Sequence, residues 1–326
     1  MERRYDLLAM GRALMDLYAN DAGVPFAAVR SFAAYVGGCP ANISVGAARL
    51  GLRTALLTAT GDDAAGGFVR EFLGRESVDV SFAPTKAGRR TSAVLLAVEA
   101  PDRPCLVAYR DNCADLELTV EDVRAAPIEA CRALLITGTG LSREPSRSAT
   151  LFAAARARAA GVRVFFDLDY RDECWPGAGE FRLAVTPALP LVDVAIGTAE
   201  EIGAALHGSY DPSGPPGEIA DPAGTLLTPG PEALVMKRGP EGTRVFPRDG
   251  APFEAPTFQV EVRNPLGAGD AFAAGLIYGR LQGWDWPRAA RFANACGALV
   301  VTRHGCANFM PREQEVVEFM GLTMRD

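Results

Sequence analysis

Two glycine-rich stretches hold the residues best suited to chemistry in this chain. The first runs Asn264-Pro-Leu-Gly-Ala-Gly-Asp-Ala-Phe-Ala-Ala-Gly-Leu276, so that Gly267, Ala268 and Gly269 lead directly into Asp270 and a small, apolar run. A helix start carries unpaired N–H groups and partial positive charge. Glycines there let the backbone approach an anion closely. A carboxylate beside an anion site is electrostatically out of place unless it takes a proton from a hydroxyl that attacks phosphorus. The helix start would then hold the charge that develops on the transferred phosphoryl group. Asp270 is on this reading a general base, and Gly267–Gly269 an anion hole. Taken alone, the same four residues fit a tight turn with a helix-start aspartate equally well.

The second stretch is Gly37-Gly38-Cys-Pro-Ala-Asn42-Ile-Ser-Val-Gly46-Ala-Ala-Arg-Leu-Gly51. Its paired glycines admit a polar ligand close to the backbone, and Asn42 offers a donor and an acceptor to a polyol. Helix capping and close helix packing through Gly46 and Ala47 account for the same pattern.

The elements that must position these stretches follow from periodicity. Short apolar runs at Tyr5–Met10, Thr54–Thr60, Ala133–Thr137, Val162–Leu168, Val192–Gly197 and Ala233–Lys237 read as buried strands. Helical patterns at Pro40–Leu50, Ala64–Arg75, Glu144–Ala160 and Ala199–Leu206 lie between them. Gly51 and Gly161 stand where a helix ends in a left-handed residue. Thr198-Ala-Glu-Glu201 fits a capping box. Alternating strands and helices predict an α/β fold with a mostly parallel sheet flanked by helices, and ligands outside the C-terminal strand ends. Phe26–Val36 and Thr91–Tyr109 are strand-like and break this rhythm. They predict a small separate sheet, either a lid drawn from about 12–36 and 77–115 or a passive β-extension. The Pro-, Gly- and Asp-rich stretch Gly208–Gly230 predicts an exposed excursion.

The bulk numbers narrow the partners. A chain of 326 residues, 48% hydrophobic, suits one large domain with its own core. A net charge of −7 leaves no basic surplus for nucleic acid. No apolar stretch approaches the roughly 20 residues of a membrane span, and the first twenty residues do not read as a signal peptide. Seven scattered cysteines, never spaced C-x-x-C, read as reduced thiols of a cytoplasmic protein. With only His207 and His304 present, a histidine-rich metal site or a Ser-His-Asp triad is excluded as a starting point.

Taken together and in this order, Gly-Gly-x-x-x-Asn and Gly-Ala-Gly-Asp-x-Phe resemble the N- and C-terminal signatures of the ribokinase-like (PfkB) family of sugar kinases. The resemblance spans essentially the whole chain, from Asp6 to about Met310. It implies a ribokinase-like three-layer fold with a small β lid, and phosphotransfer from ATP with Mg2+ to an alcohol. It makes Asp270 the catalytic base and Gly267–Gly269 the anion hole. Asp16, Gly38 and Asn42 become substrate contacts. Lys237, Gly239 and Gly242, in Lys237-Arg-Gly-Pro-Glu-Gly242, line the nucleotide. Asn294 and Gly297 border the adenine, where packing between helices is an equal alternative. Glu200 matches the glutamate of the family's N-x-x-E, which organises Mg2+ through water, although Gly197 stands where the asparagine would be. Asn264 replaces the aspartate that commonly opens the C-terminal signature. Arg303-His-Gly305 resembles the end of a loop that holds a monovalent cation such as K+. The edge of the lid is where a second copy would pair to form a homodimer.

Substrate class rests on narrower stretches. Arg110, in Tyr109-Arg-Asp-Asn-Cys-Ala-Asp115, and Arg171, in Asp167-Leu-Asp-Tyr-Arg171, are suited to an anionic substrate, since arginine matches a carboxylate bidentately. Arg171 is open between substrate and ATP phosphate, and Arg110 between substrate and an ion pair with Asp111 or Asp115. Tyr109–Asp115, with Ile136–Phe152 and Val301–Pro311, resembles the branch of the family that phosphorylates 5-dehydro-2-deoxygluconate. Kinases of 2-dehydro-3-deoxygluconate, of fructose or of ribose, and a sugar-acid sensor without catalysis, are the alternatives.

Overall fold

The computed structural model of the chain describes residues 3–21, 23–100, 103–208, 226–227 and 230–321. Most of the Gly208–Gly230 excursion therefore lies outside the described residues.

The strands are β1 (Tyr5–Met10), β2 (Leu14–Ala19), β3 (Phe32–Gly37), β4 (Thr54–Leu57), β5 (Thr60–Gly61), β6 (Val78–Asp79), β7 (Thr85–Lys86) and β8 (Ala93–Ala100). They continue as β9 (Arg103–Tyr109), β10 (Cys131–Thr137), β11 (Arg163–Asp167), β12 (Val194–Thr198), β13 (Ala233–Lys237), β14 (Thr243–Pro247) and β15 (Phe253–Ala255). The helices are α1 (Cys39–Arg49), α2 (Ala64–Arg75), α3 (Val120–Ala125), α4 (Ser146–Ala159) and α5 (Ala178–Val185), then α6 (Ala199–His207), α7 (Ala268–Leu281), α8 (Trp286–Val301) and α9 (Glu313–Phe319).

Nine strands form the main sheet in the order β15-β14-β13-β12-β11-β10-β1-β4-β6. Its pairings are parallel from β6 to β13, and β14 and β15 add an antiparallel edge. The apolar runs are continuous because both faces are covered. Leu7 and Ala9 enter the core layer shared with α1, α7 and α8, whereas Leu8 and Met10 enter the opposite layer with α4, α5 and α6. Each large apolar side chain buried there contributes about 1.5–3 kcal/mol relative to exposure. From β1 the chain moves outward to β4 and β6, then returns to place β10 on β1's other side. The strand order reverses between β1 and β10, and ligands of open α/β sheets gather at such a point.

A second sheet has the order β3-β2-β8-β9. Phe26–Val36 is not one strand, as its pattern predicts: Phe26–Ala28 forms a 3-10 turn after Pro25, and pairing begins at Phe32. Gly51 and Gly161 take the left-handed values expected, φ 94° and 65°. Thr198 and Glu201 close the capping box at the start of α6.

Candidate active site

The C-terminal signature forms the first turn of α7. Gly267 is the residue before the helix, at φ 85°, a value that favours glycine. A Cβ there would also press on Cys306. Asn264 is buried, and its Oδ1 accepts from Leu266 N at 3.0 Å, which shapes the turn; its Nδ2 has no partner. Asp270 thus lies in the first turn of α7, where helix N–H groups point outward, although the Ala268 N–H donates to Pro265 O at 3.4 Å.

The N-terminal signature reaches the same place from the other side. Gly38, at φ 100°, precedes α1, and a Cβ on it would lie 2.6 Å from the Arg12 carbonyl oxygen. Asn42 is buried in α1, and its Nδ2 donates to Asp270 Oδ2 at 2.7 Å. One turn further along each helix, Gly46 meets Ala274 so closely that a Cβ on Gly46 would lie 2.8 Å from the alanine methyl. The two readings of this motif are thus compatible, since the close packing of α1 on α7 is what brings Asn42 to Asp270.

Asp16 arrives from the small sheet. Alternation along β2 puts Leu14, Asp16 and Tyr18 on its buried face. A Cβ on Gly37, in the neighbouring strand, would lie 1.9 Å from Asp16 Oδ2. The carboxylate occupies the space that Gly37 leaves empty. It is only 5% exposed and accepts no hydrogen bond from any described side chain. Burial pushes its pKa up to about 7, Arg12 pulls the other way, and Asp270 adds to the rise.

A third group sits on the ends of the main strands. Lys237, closing β13, pairs with Asp167 Oδ2 at 3.1 Å and lies 3.9 Å from Glu201 Oε2. Burial works against the ammonium, but Asp167 and Glu201 hold its proton more firmly than usual. A Cβ on Gly269 would lie 3.3 Å from Lys237 Nζ, so this ammonium stands beside the first turn of α7. Arg171 pairs with Asp169 Oδ1 at 2.9 Å and Glu201 Oε1 at 3.3 Å. Asp169 has φ 39°, accepts from Thr139 Oγ1 at 2.9 Å and from Arg12 Nη2 at 3.3 Å. Burial would raise its pKa, but Arg171, Arg12 and Thr139 together depress it. Asp270 is shifted up, chiefly by burial, against the Asn42 hydrogen bond, which lowers it.

The other expected residues are placed differently. Glu200 lies half-buried in the first turn of α6; the capping box turns Glu201, not Glu200, towards Lys237. Asn294 is a packing residue: Oδ1 accepts from Thr243 and Nδ2 donates to Ala255 O and Pro256 O, pinning α8 to the β14–β15 edge. Gly297 lets α8 approach the Ala268 carbonyl, where a Cβ would stand 3.2 Å away. Gly239 and Gly242 shape the β13–β14 turn, Gly239 exposed at φ 52° and Gly242 against Ala255 O. Arg110 is held by Asp115 at 2.6 Å and Ser92 at 3.2 Å, with its side chain 9% exposed. Of its two open readings, the ion pair is the one the fold displays, and it is buried rather than superficial. Arg303 bonds Phe309 O and Glu315, while His304 meets Tyr18 edge to face. Among the described residues, no group of three or more His, Cys, Asp or Glu side chains forms a metal cage. The unpaired helix N–H groups, Lys237 and nearby carboxylates fit a nucleotide whose Mg2+ is held largely by phosphate oxygens and water.

Sequence reasoning missed Arg12, Gly37, Asp169 and Glu201. Arg12 lies just past the predicted strand Tyr5–Met10, where ligands of α/β sheets gather, and that position was its available signal. The rest needed three-dimensional neighbours.

A family model described as pfkB family carbohydrate kinase matches residues 5–313. The chain belongs to the pfkB family of carbohydrate kinases. Within this pfkB family, a protein of Geobacillus thermodenitrificans named 5-dehydro-2-deoxygluconokinase is 34% identical over 324 residues, 98% of this chain and 94% of that one. One of the same name from Bacillus anthracis is 36% identical over 320 residues, covering 98% and 95%. A double-mutant fructokinase of Vibrio cholerae O395, holding fructose, ADP and potassium ion, superimposes with TM-score 0.83 at 26% identity, covering 98% and 99%. The pfkB chain described above is thus an ATP-dependent kinase of ribokinase-like fold. No helix among its described residues is long and apolar enough to cross a membrane.

Proposed function

We propose that this kinase phosphorylates the terminal hydroxyl of 5-dehydro-2-deoxy-D-gluconate, giving 6-phospho-5-dehydro-2-deoxy-D-gluconate. The observation that carries the mechanism is the meeting of Asp270, Asn42 and Lys237 at the first turn of α7. The substrate comes from the relatives named above.

Asp16 and Asn42 hold acceptor hydroxyls. Asp270 accepts the proton of the terminal hydroxyl as its oxygen bonds to the γ-phosphorus and the bond to the β-phosphate oxygen breaks, releasing ADP. The N–H groups at Gly267–Gly269 and the Lys237 ammonium hold the negative charge on the moving phosphoryl group. Mg2+ would supply further neutralisation of the phosphates, and Glu200 and Glu201, in the first turn of α6, are the side chains that would hold it through water. The loop at Gly239 and Gly242 borders the nucleotide. The small sheet covers the cleft and brings Asp16 with it. Its edge strand β9 exposes Leu106 and Tyr109, 47% and 60% accessible, and offers a surface for a second copy. A role for K+ near residues 303–305 is testable by exchanging the salt.

The deciding assay offers ATP with 5-dehydro-2-deoxygluconate, 2-dehydro-3-deoxygluconate, fructose or ribose. The first is expected to have the highest kcat/KM. A preference for the second would keep the acid kinase and change the acceptor. A preference for a neutral sugar would overturn the acid reading, and binding without turnover would leave a sensor.

A pH profile gives an independent check. Asp16 must be ionised to accept hydroxyl protons, and Asp270 to act as a base. Both are raised by burial, so kcat/KM should fall as pH drops through about 7. Asp16→Asn should shift or flatten that limb. For stability the sign is opposite. Between its unfolded value near 4 and about 7, folded Asp16 keeps a proton that the unfolded chain has released. Asp16 therefore makes the ligand-free protein less stable as pH rises through that window. Replacing it should lessen the decline in Tm, and an unchanged slope would contradict the shift.

A further inference from the structure

We propose that Arg12, rather than Arg110, receives the carboxylate of the acceptor and sets the preference for an acid over a neutral sugar. This rests on the kinase reading above and deepens it.

Arg12 follows β1 directly, at the reversal point of strand order. Its side chain is 8% exposed. A guanidinium that deep is costly unless its donors and charge are matched. Arg12 is poorly matched. Among the described residues it has one side-chain hydrogen bond, the 3.3 Å contact from Nη2 to Asp169 Oδ2, and its buried Nε–H finds no partner. Asp169 has other partners besides Arg12, since Arg171 stands 2.9 Å from its Oδ1 and Thr139 donates to Oδ2 at 2.9 Å. Arg12 is thus a buried cation with one long ion pair and a donor to spare.

Arg110 is the reverse case. It bonds Asp115 at 2.6 Å and Ser92 at 3.2 Å, and Ser92 in turn donates to the other Asp115 oxygen at 2.8 Å. That closed triad leaves its charge matched within the fold. Its neighbourhood still adjoins Arg12, whose field reaches both Asp115 and Asp16.

Position completes the argument. Asp16 lies four residues beyond Arg12, buried and without a hydrogen-bond donor, and its field reaches Asp270. An acceptor with hydroxyls at Asp16 and Asp270 can bring a carboxylate to Arg12, where the planar fork accepts both oxygens. Arg171, shared between Asp169 and Glu201, stays towards the nucleotide side with Lys237.

The test compares the sugar acid with its primary amide in the full-length protein, by competition as well as turnover. Wild type should hold the acid about 10–100-fold more tightly than the amide, the usual scale of a lost charge-assisted pair. Arg12→Lys keeps a positive charge opposite Asp169 but loses the fork. It should raise the acid's KM about tenfold or more, shrink the acid–amide gap, and leave the KM for ATP near its starting value. Arg12→Gln should abolish the gap; if that variant unfolds, Arg12→Lys, with its Tm measured, still decides. Arg110→Gln should lower Tm while keeping most of the gap. The proposal is overturned if Arg12→Lys leaves the gap intact, if Arg110→Gln abolishes it in folded protein, or if wild type shows none. Kinase activity on the acid would survive each of those results. Failure of wild type to phosphorylate any sugar acid is a separate outcome that removes the proposed function and this inference with it.

Discussion

Asp270→Asn is expected to lower kcat by about 10²–10⁴, the usual size of a general-base contribution. The substitution keeps the shape of the side chain and leaves an oxygen to accept from Asn42, now 2.7 Å from Asp270 Oδ2. It removes the capacity to take up a proton together with the negative charge near Arg171 and Lys237. The KM for ATP should change little, because the helix N–H groups and Lys237 are untouched. Steady-state kinetics with single-turnover measurements would separate chemistry from release of product. Turnover within about twofold of wild type would remove Asp270 from the role of base.

Gly37→Ala is expected to act as a loss of Asp16, although the new side chain is one methyl group. Its Cβ would lie 1.9 Å from Asp16 Oδ2, 2.4 Å from Cγ and 2.7 Å from Oδ1. No small adjustment relieves three such contacts, so either the carboxylate swings away or the strands part. A lost hydrogen bond to a charged group costs about 1.5–3 kcal/mol, and the acceptor's KM should rise about 10–150-fold. Asp16→Ala supplies the comparison. If both variants weaken the acceptor alike and the double variant adds nothing, the glycine works through Asp16. Should Gly37→Ala retain wild-type KM, the fit between this glycine and the carboxylate would have no functional weight.

Both predictions concern residues whose importance was unequally visible in the chain. Asp270 was legible only through context: Gly-Ala-Gly-Asp alone fits an ordinary helix-start turn, and the second glycine-rich stretch at Gly37–Gly51 gave it weight. Asp16 and Asn42 followed from the resemblance to the sugar-kinase family. Gly37 was visible only as half of a glycine pair. The motif explained a ligand's approach, whereas the structure uses the space for an aspartate two strand positions from its paired residue: Gly37 pairs with Leu14.

Arg110 and Asn294 show why charge or amide chemistry in a string is ambiguous. Both residue types bind ligands and satisfy buried partners equally well. Arg110 has its partner five residues along the chain. Asn294 finds Thr243, 51 residues away, and the carbonyls of Ala255 and Pro256. Glu200 and Glu201 differ only in which way the first turn of α6 sends them, and the capping box chooses Glu201.

The sequence by itself determined the strand–helix alternation, the buried strand β1, the bounds of α2 and the two glycine signatures. These depend on local periodicity, caps and backbone freedom, which act within a few residues. Tertiary structure alone decided which charges are spent and which are spare. Arg12 and Arg110 are the same side chain, yet one is matched by Asp115 and Ser92 and the other holds a single 3.3 Å bond. Electrostatic worth depends on distance, burial and competing partners, and folding brings those together from β1, the small sheet and the turn after β11.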